Sequence, residues 1–401
     1  MAPELFLEIG TEEIPAGFLT RACADMERRM AERLAALGLG HGPIRATATP
    51  RRLVLAVADL AEHQASRREE AVGPPRQAAF DATGQPTRAA IGFARSQGVP
   101  VDALTIVTTP RGEYVQVVKD VPGAATASLL PGLLPAFIQG LPFPKSMRWG
   151  SGSLAFARPI RWLVALYDGR LVPFTLDGLA AGDSTCGHRF MAPQPLLVTG
   201  SDHHRQVLRE AHVLVDMAER RQRLQDEIEE AAAAVGGRLL PDEELAATVA
   251  NLVEIPFAVA GSFDPKFLSL PRSVLVTAMR EHQKSFAVVS QAGDLLPFFV
   301  AVNNTRVRET AVSVQGHQRV LRARLEDALF FFNEDQKLPL ADRVPGLAGV
   351  IFQARLGTML EKSQRLVQLA GSLAQALAPD LRPQVERAAH LAKADLLTAM
   401  V

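Results

Sequence analysis

Glu4-Leu-Phe-Leu-Glu-Ile-Gly-Thr-Glu-Glu-Ile-Pro-Ala-Gly-Phe18 opens the chain with a strand that breaks into an acidic turn. Leu5, Leu7 and Ile9 alternate with Phe6, Glu8 and Gly10, the period-two pattern of a strand. Thr11, followed by Glu12, Glu13 and Pro15, predicts a helix entry with acid in its first turn. Residues 18–37 then keep the three-or-four spacing of an amphipathic helix through Leu19, Ala22, Met26, Met30, Leu34 and Leu37, with Gly38 as the stop.

Working outward, strands are predicted at 44–49 and 53–58 around Pro50-Arg51-Arg52. The polar stretch 63–86, with Gly73-Pro74-Pro75 and Gly84-Gln85-Pro86, reads as an exposed loop or small inserted element. A short helix over 87–97 closes at Gly98, a hairpin joins 104–109 to 114–119, and a helix covers 124–139. Strands at 162–167, 172–176 and 196–198 complete a mixed α/β region, 1–198, with antiparallel pairing. Residues 199–345 read as a helix-rich α+β region, with helices at 202–235, 245–253, 273–280 and 320–332 and strands at 286–289 and 298–302. In the helix opened by Gly316, Leu321, Leu325, Ala328, Leu329 and Phe332 form the inner stripe; Arg319, Arg322, Glu326 and Asp327 face outward, with Arg322 and Glu326 placed to pair. From 346 to 401 the pattern is all-helical, and the amphipathic run 388–401 has no stop signal, so the sequence reads as a piece of a longer chain. The fold class is therefore α+β, multidomain.

Composition narrows the function. Hydrophobic residues make up 48% and charged residues 21% of 401, enough apolar material for sizeable cores in two to four domains. Lys+Arg and Asp+Glu are equal at 43 each, so any nucleic-acid surface must be a local patch. Cys23 and Cys186 are too far apart for a zinc or disulfide framework and suit a reducing cytoplasm. Glu4, Glu8, Glu12 and Glu13 stand where a secretory signal needs cations, and the apolar stretch 252–261 is far short of the roughly 20 residues that span a bilayer. A cytoplasmic protein with no membrane partner is expected.

Familiar catalytic signatures are missing: no phosphate-cradling loop ending in Lys-Ser/Thr, no His-Glu-x-x-His, no Gly-x-Ser-x-Gly. Gly150-Ser-Gly152 reads as a turn before a strand, so no catalytic residue, metal site or cofactor is assigned to this chain. Lys145, Arg148, Arg158 and Arg161 stand beside Trp149 and Trp162, which suits either phosphate contact with base stacking or aromatic core anchors carrying Arg stems. His188 reads as a proton donor, a phosphate contact or a satisfied structural histidine. Arg280 and Lys284 close a helix, where cations favour the dipole. His390 and Asp395 lack the companion pair that a metal-dependent hydrolase needs.

These stretches, taken in order, resemble the beta subunit of bacterial heterotetrameric glycyl-tRNA synthetase. The likeness rests on residues 4–18, Gly92-Phe93-Ala94, 145–150, 158–162 and 187–190. It continues through Leu252-Val253-Glu254-Ile255-Pro256, Phe267-Leu268-Ser269-Leu270-Pro271, His282-Gln283-Lys284 and Arg324-Leu325-Glu326-Asp327-Ala328. Stretches 331–335, Leu356-Gly357 and Lys393-Ala394-Asp395-Leu396 extend it to the end. Ile255 and Ser285 depart from the Trp and Tyr the family often has there.

The resemblance implies an α2β2 assembly in which the alpha subunit holds the class II core for glycine, ATP and Mg, while the beta subunit binds tRNA-Gly. It also implies that 346–401 begins a degenerate HD-like (His/Asp-type) helical domain, followed in the family by an anticodon-binding domain. This chain alone is expected to be inactive, acting by positioning the acceptor arm. Lys145, Arg148, Arg189, Lys284 and Arg319 are the tRNA-binding candidates. The rival expectation is a scaffold for the alpha subunit with little RNA contact.

Overall fold

A computed structural model describes residues 3–81 and 83–401 as two compact units, Met1–Arg220 with Asn251–Ile255, and Arg221–Ala250 with Pro256–Val401. The architecture is α+β with antiparallel sheets, and the C-terminal region is helix-rich.

In the first unit the opening strand, Leu5–Thr11, is central in a five-stranded sheet. It pairs antiparallel with Arg52–Val57 on one side and Ile160–Tyr167 on the other, Glu8 standing opposite Val54 and Val164. Ile44–Thr49 and Arg170–Leu171 are the outer strands. Every residue of the opening strand is buried, because both sheet faces are covered. Leu5, Leu7 and Ile9 pack with Leu19, Met26, Met30 and Leu34 of the helix Ala16–Ala36, and with Leu130, Leu134 and Phe137 of the helix Thr126–Gln139. Phe6, Val54 and Val164 pack with Leu208 of the helix Ser201–Glu210 and with Val213 and Val215.

The stretch 63–86 contains a strand, Arg67–Pro75, so the inserted element is real. It joins Gly112–Val121 and Thr105–Thr109 in a three-stranded sheet. Pro74 and Pro75 are tolerated because this is an edge strand. The helix Arg88–Gln97 packs there, capped by the Thr87 side chain and ended by left-handed Gly98 (φ 68°).

The second unit is built on the sheet of Arg238–Leu239, Phe286–Val289, Leu295–Asn303 and Phe257–Ser262. Leu224, Ile228, Leu245 and Val249 cover one face; Leu275, Met279, Leu321 and Leu325 cover the other. A smaller core of Val344, Leu347, Met359 and Ala394 lies beneath the helix Met359–Leu377, whose start is a reciprocal capping box of Thr358 and Glu361.

Several local expectations are corrected. The first helix starts at Ala16 after Pro15, leaving Glu12 and Glu13 outside it. Phe257–Ser262 is a strand hidden in an apolar run, and 172–176 is not one strand. The helix near 273–280 is Arg272–Thr277 followed by a π-helical turn, Ala278–His282. The long helix begins at Thr310, ahead of Gly316, and Glu326 pairs with Lys266 (2.6 Å) rather than Arg322. Ile351–Gln353 and Gly357–Thr358 form a small hairpin, and the final run is the helix Arg382–Leu391 followed by a short tight turn, Ala394–Leu397.

Gly10 has no side chain because the Trp162 indole lies over it; an added Cβ would sit 1.9 Å from a ring carbon. Gly10→Ala is expected to lower stability by about 1–3 kcal/mol through overpacking. Gly17→Ala, within the first helix and with a Cβ that would meet nothing within 4 Å, should instead raise stability by about 0.4–1 kcal/mol, both variants being measured by denaturant titration.

Candidate functional site

The first unit encloses an ionic network at the opening strand. Glu8, Arg52 and Glu254 have zero exposure. Arg52 Nη1 donates to Glu8 Oε1 (3.3 Å), Thr185 Oγ1 (3.3 Å) and the Cys186 carbonyl (2.9 Å). Its Nη2 and Nε donate to Glu254 Oε1 at 2.9 and 3.2 Å. Glu8 also accepts from Thr185 Oγ1 (2.9 Å) and Trp162 Nε1 (3.2 Å), and its Oε2 lies 3.0 Å from His204 Nε2. Thr49 Oγ1 donates to Glu254 at 2.7 Å. Arg51 and Arg52 stand 5.5 and 5.6 Å from the Trp162 ring centroid.

Burial alone pushes the Glu8 carboxyl up; the charge and hydrogen bond of His204, then Arg52 and the Thr185 hydroxyl, overcome it and hold Glu8 at about 2. Glu254 is held below its usual range, burial again being outweighed by Arg52 and Thr49. Burial pushes Arg52 down and the two carboxylates more than reverse it. The network thus keeps its charges while sealed from water, and Glu8, Arg52, Thr49 and Thr185 are turned on one another and on Glu254. That is the arrangement of a scaffold.

From this network the acidic turn is fixed in place. Thr11 N donates to the Arg51 carbonyl (2.7 Å), Glu12 N to that of Pro159 (2.9 Å) and Ile14 N to that of Pro50 (2.7 Å). The Glu12 carboxylate then reaches outward to Arg189 and, at 3.5 Å, to Arg161. Trp162 is therefore a packed anchor, with the guanidinium groups of Arg51 and Arg52, not those of Arg158 or Arg161, over its ring, and Trp149 packs against the main core. His188 is a satisfied histidine: buried, its Nδ1 accepts from Phe190 N and Met191 N, both at 3.3 Å.

The five basic candidates fall into two groups. Lys145 and Arg148 project from one irregular loop of the first unit, steadied by pairing of Met147 with Phe156. Both are exposed and have no ion pair among the described residues, as has Arg319 on the long helix of the second unit. Arg189 is tied to Glu12, and Lys284, in a left-handed conformation (φ 50°), to Glu281 at 3.2 Å. Gln283 Nε2 donates to the His317 carbonyl (3.4 Å), which brings the segment of Lys284 beside the turn that carries Arg319. Among the described residues no group of three or more His, Cys, Asp or Glu is placed to hold a metal, and no helix is long and apolar enough to cross a membrane.

A family model described as "Glycyl-tRNA synthetase beta subunit" matches residues 5–401. The chain belongs to that family. It is 48% identical over 401 residues to the glycine–tRNA ligase beta subunit of Syntrophus aciditrophicus and 49% identical to that of Geotalea uraniireducens. In both comparisons all of this chain is covered but only 58% of the relative. The opening stretch, on which the resemblance begins, is the strand and turn organised by Glu8. Arg52, Glu254 and His204 were not picked out from sequence as partners of Glu8. The available signal was a carboxylate in each of two apolar runs, Leu5–Thr11 and Leu252-Val253-Glu254-Ile255.

Removing one charge leaves the others buried and unmatched, so Arg52→Met is expected to lower the unfolding free energy by about 3–5 kcal/mol in a denaturant titration. Acid probes the same network. Glu8 titrates near 2 when folded against 4.5 when exposed, so its stabilisation is full above about pH 4.5 and is lost as pH falls toward 2. Glu8→Gln should lower stability at pH 7 and flatten this acid limb; an unchanged limb would remove Glu8 from the network.

Proposed function

We propose that this chain acts in glycyl-tRNA synthesis by holding tRNA-Gly while a partner alpha subunit, carrying the site for glycine, ATP and Mg, performs the chemistry. Membership of the beta-subunit family supports the reaction. The observation that carries the positioning role is local charge. In a chain with 43 cations and 43 anions, Lys145, Arg148 and Arg319 stand exposed with no ion pair among the described residues. Such cations contact phosphates and set register without reading bases. Holding the acceptor arm lowers the entropic barrier to acyl transfer at a site supplied by another subunit. On this reading the chain is inactive alone, works in the cytoplasm and assembles as α2β2.

A second reading, a scaffold for the alpha subunit with little RNA contact, draws on the neutral charge balance and on Leu369, Leu373 and Leu377. These form an apolar stripe on the helix Met359–Leu377, 63%, 62% and 82% exposed.

Titrating labelled tRNA-Gly against the chain at several salt concentrations separates the two. Arg148→Ala is expected to weaken binding and to reduce the slope of log affinity against log salt by about one. Unchanged affinity and slope in Arg148→Ala and Lys145→Ala, with lost association of the alpha subunit, would favour the scaffold.

A further inference from the structure

In the second unit a cleft of about 460 Å³ opens between the long helix Thr310–Gln336 and the segment formed by Arg272–Thr277 and its π-helical turn. Its size is that of a small-ligand site. Arg324, Asp327, Ala328 and Phe331 line it from the long helix, and their i, i+3, i+4, i+7 spacing places them on one face. Leu321 and Leu325, fully buried, anchor that helix and so fix the direction of this face. Ser273, Thr277 and His282 form the opposite wall, and Ala399 and Met400 close one side. His282 belongs to the π-helical turn, a local distortion common at functional sites, and Ser285 N donating to the Met279 carbonyl (3.1 Å) helps to hold that turn.

The lining groups are chemically distinct. Arg324 is exposed and has no ion pair or hydrogen bond among the described residues. Phe331 is 38% exposed, with its neighbour Phe330 edge-on at 5.5 Å. A partly exposed ring about two helical turns from a guanidinium without an ion pair, on one helix face, suits a flat aromatic group bearing a phosphate. Asp327 adds an acceptor, which selects a ring with an exocyclic amine. Arg319 and Arg322 stand further along the same helix, exposed and without ion pairs among the described residues. They lie roughly half a turn round the helix from the cleft's face; that the occupant is RNA rather than a free nucleotide follows from the RNA-binding reading of the chain.

We infer that this cleft seats one unpaired RNA nucleotide, its base on Phe331, its exocyclic amine toward Asp327 and its phosphate at Arg324. The inference rests on the RNA-binding reading and adds to it a site for single-stranded nucleotides, which phosphate contacts alone do not require.

The test measures anisotropy of three labelled RNA hairpins with this chain: blunt, with a short 3′ cytidine tail, and with a matching uridine tail. The cytidine-tailed hairpin is expected to bind tightest, since uracil lacks the exocyclic amine. Phe331→Ala should weaken tailed-RNA binding about tenfold and leave the blunt hairpin unchanged. Arg324→Ala should lower the salt slope for tailed RNA by about one, and Asp327→Asn should narrow the cytidine preference. Thermal unfolding of each variant reports on folding, and the exposed Arg324 keeps the test open if Phe331→Ala is unstable. Equal binding of tailed and blunt hairpins, or a tail preference that survives Phe331→Ala, would overturn the cleft while leaving RNA binding intact. Failure of all three RNAs to bind would overturn the RNA reading with it.

Discussion

Burying Arg52 completely would cost several kcal/mol were Glu8 and Glu254 not placed to receive its guanidinium. Such a network adds little net stability compared with a well-packed apolar core, but it is exacting about geometry. Each of its members comes from a different part of the first unit. Glu8 is on the central strand, Arg52 on its neighbour, Thr185 and Cys186 on a later strand, His204 on a helix and Glu254 on a returning segment 202 residues from Arg52. A one-residue slip of the central strand would turn Glu8 into the apolar layer of Leu19 and Met26 and leave Arg52 without it. The network therefore specifies register and carries the acidic turn, with Trp162 and Gly10 completing the fit.

Much of the secondary structure was legible in the sequence because its signals are local. Strands 44–49 and 286–289 match Ile44–Thr49 and Phe286–Val289, and Thr87 and Gly98 bracket their helix as cap chemistry requires. What failed depended on context. Glu12 and Glu13 look like first-turn acids, yet Pro15 delays the helix and Glu12 is drawn outward to Arg161 and Arg189. Arg67–Pro75 reads as a loop until an edge position makes its prolines harmless, and Phe257–Ser262 has no alternation because both faces of its sheet are covered.

The candidate site was legible only as a set of cations. Sequence cannot show which of them has already found a partner. Arg189 and Lys284 are engaged by Glu12 and Glu281, whereas Lys145, Arg148 and Arg319 stand without ion pairs among the described residues. The helix pattern placed Arg319, Arg322, Glu326 and Asp327 on one outer face; the facing π-helical turn instead groups Asp327 with Arg324 and Phe331 around a cleft. That grouping depends on an element for which the local pattern carries no mark.

The proposed role of this chain is to position RNA for chemistry performed elsewhere. Its most direct test is glycine attachment to tRNA-Gly by the alpha subunit, assayed with and without the full-length beta subunit. Charging that appears only when the beta chain is added is the predicted result. Equal charging by the alpha subunit alone would contradict it.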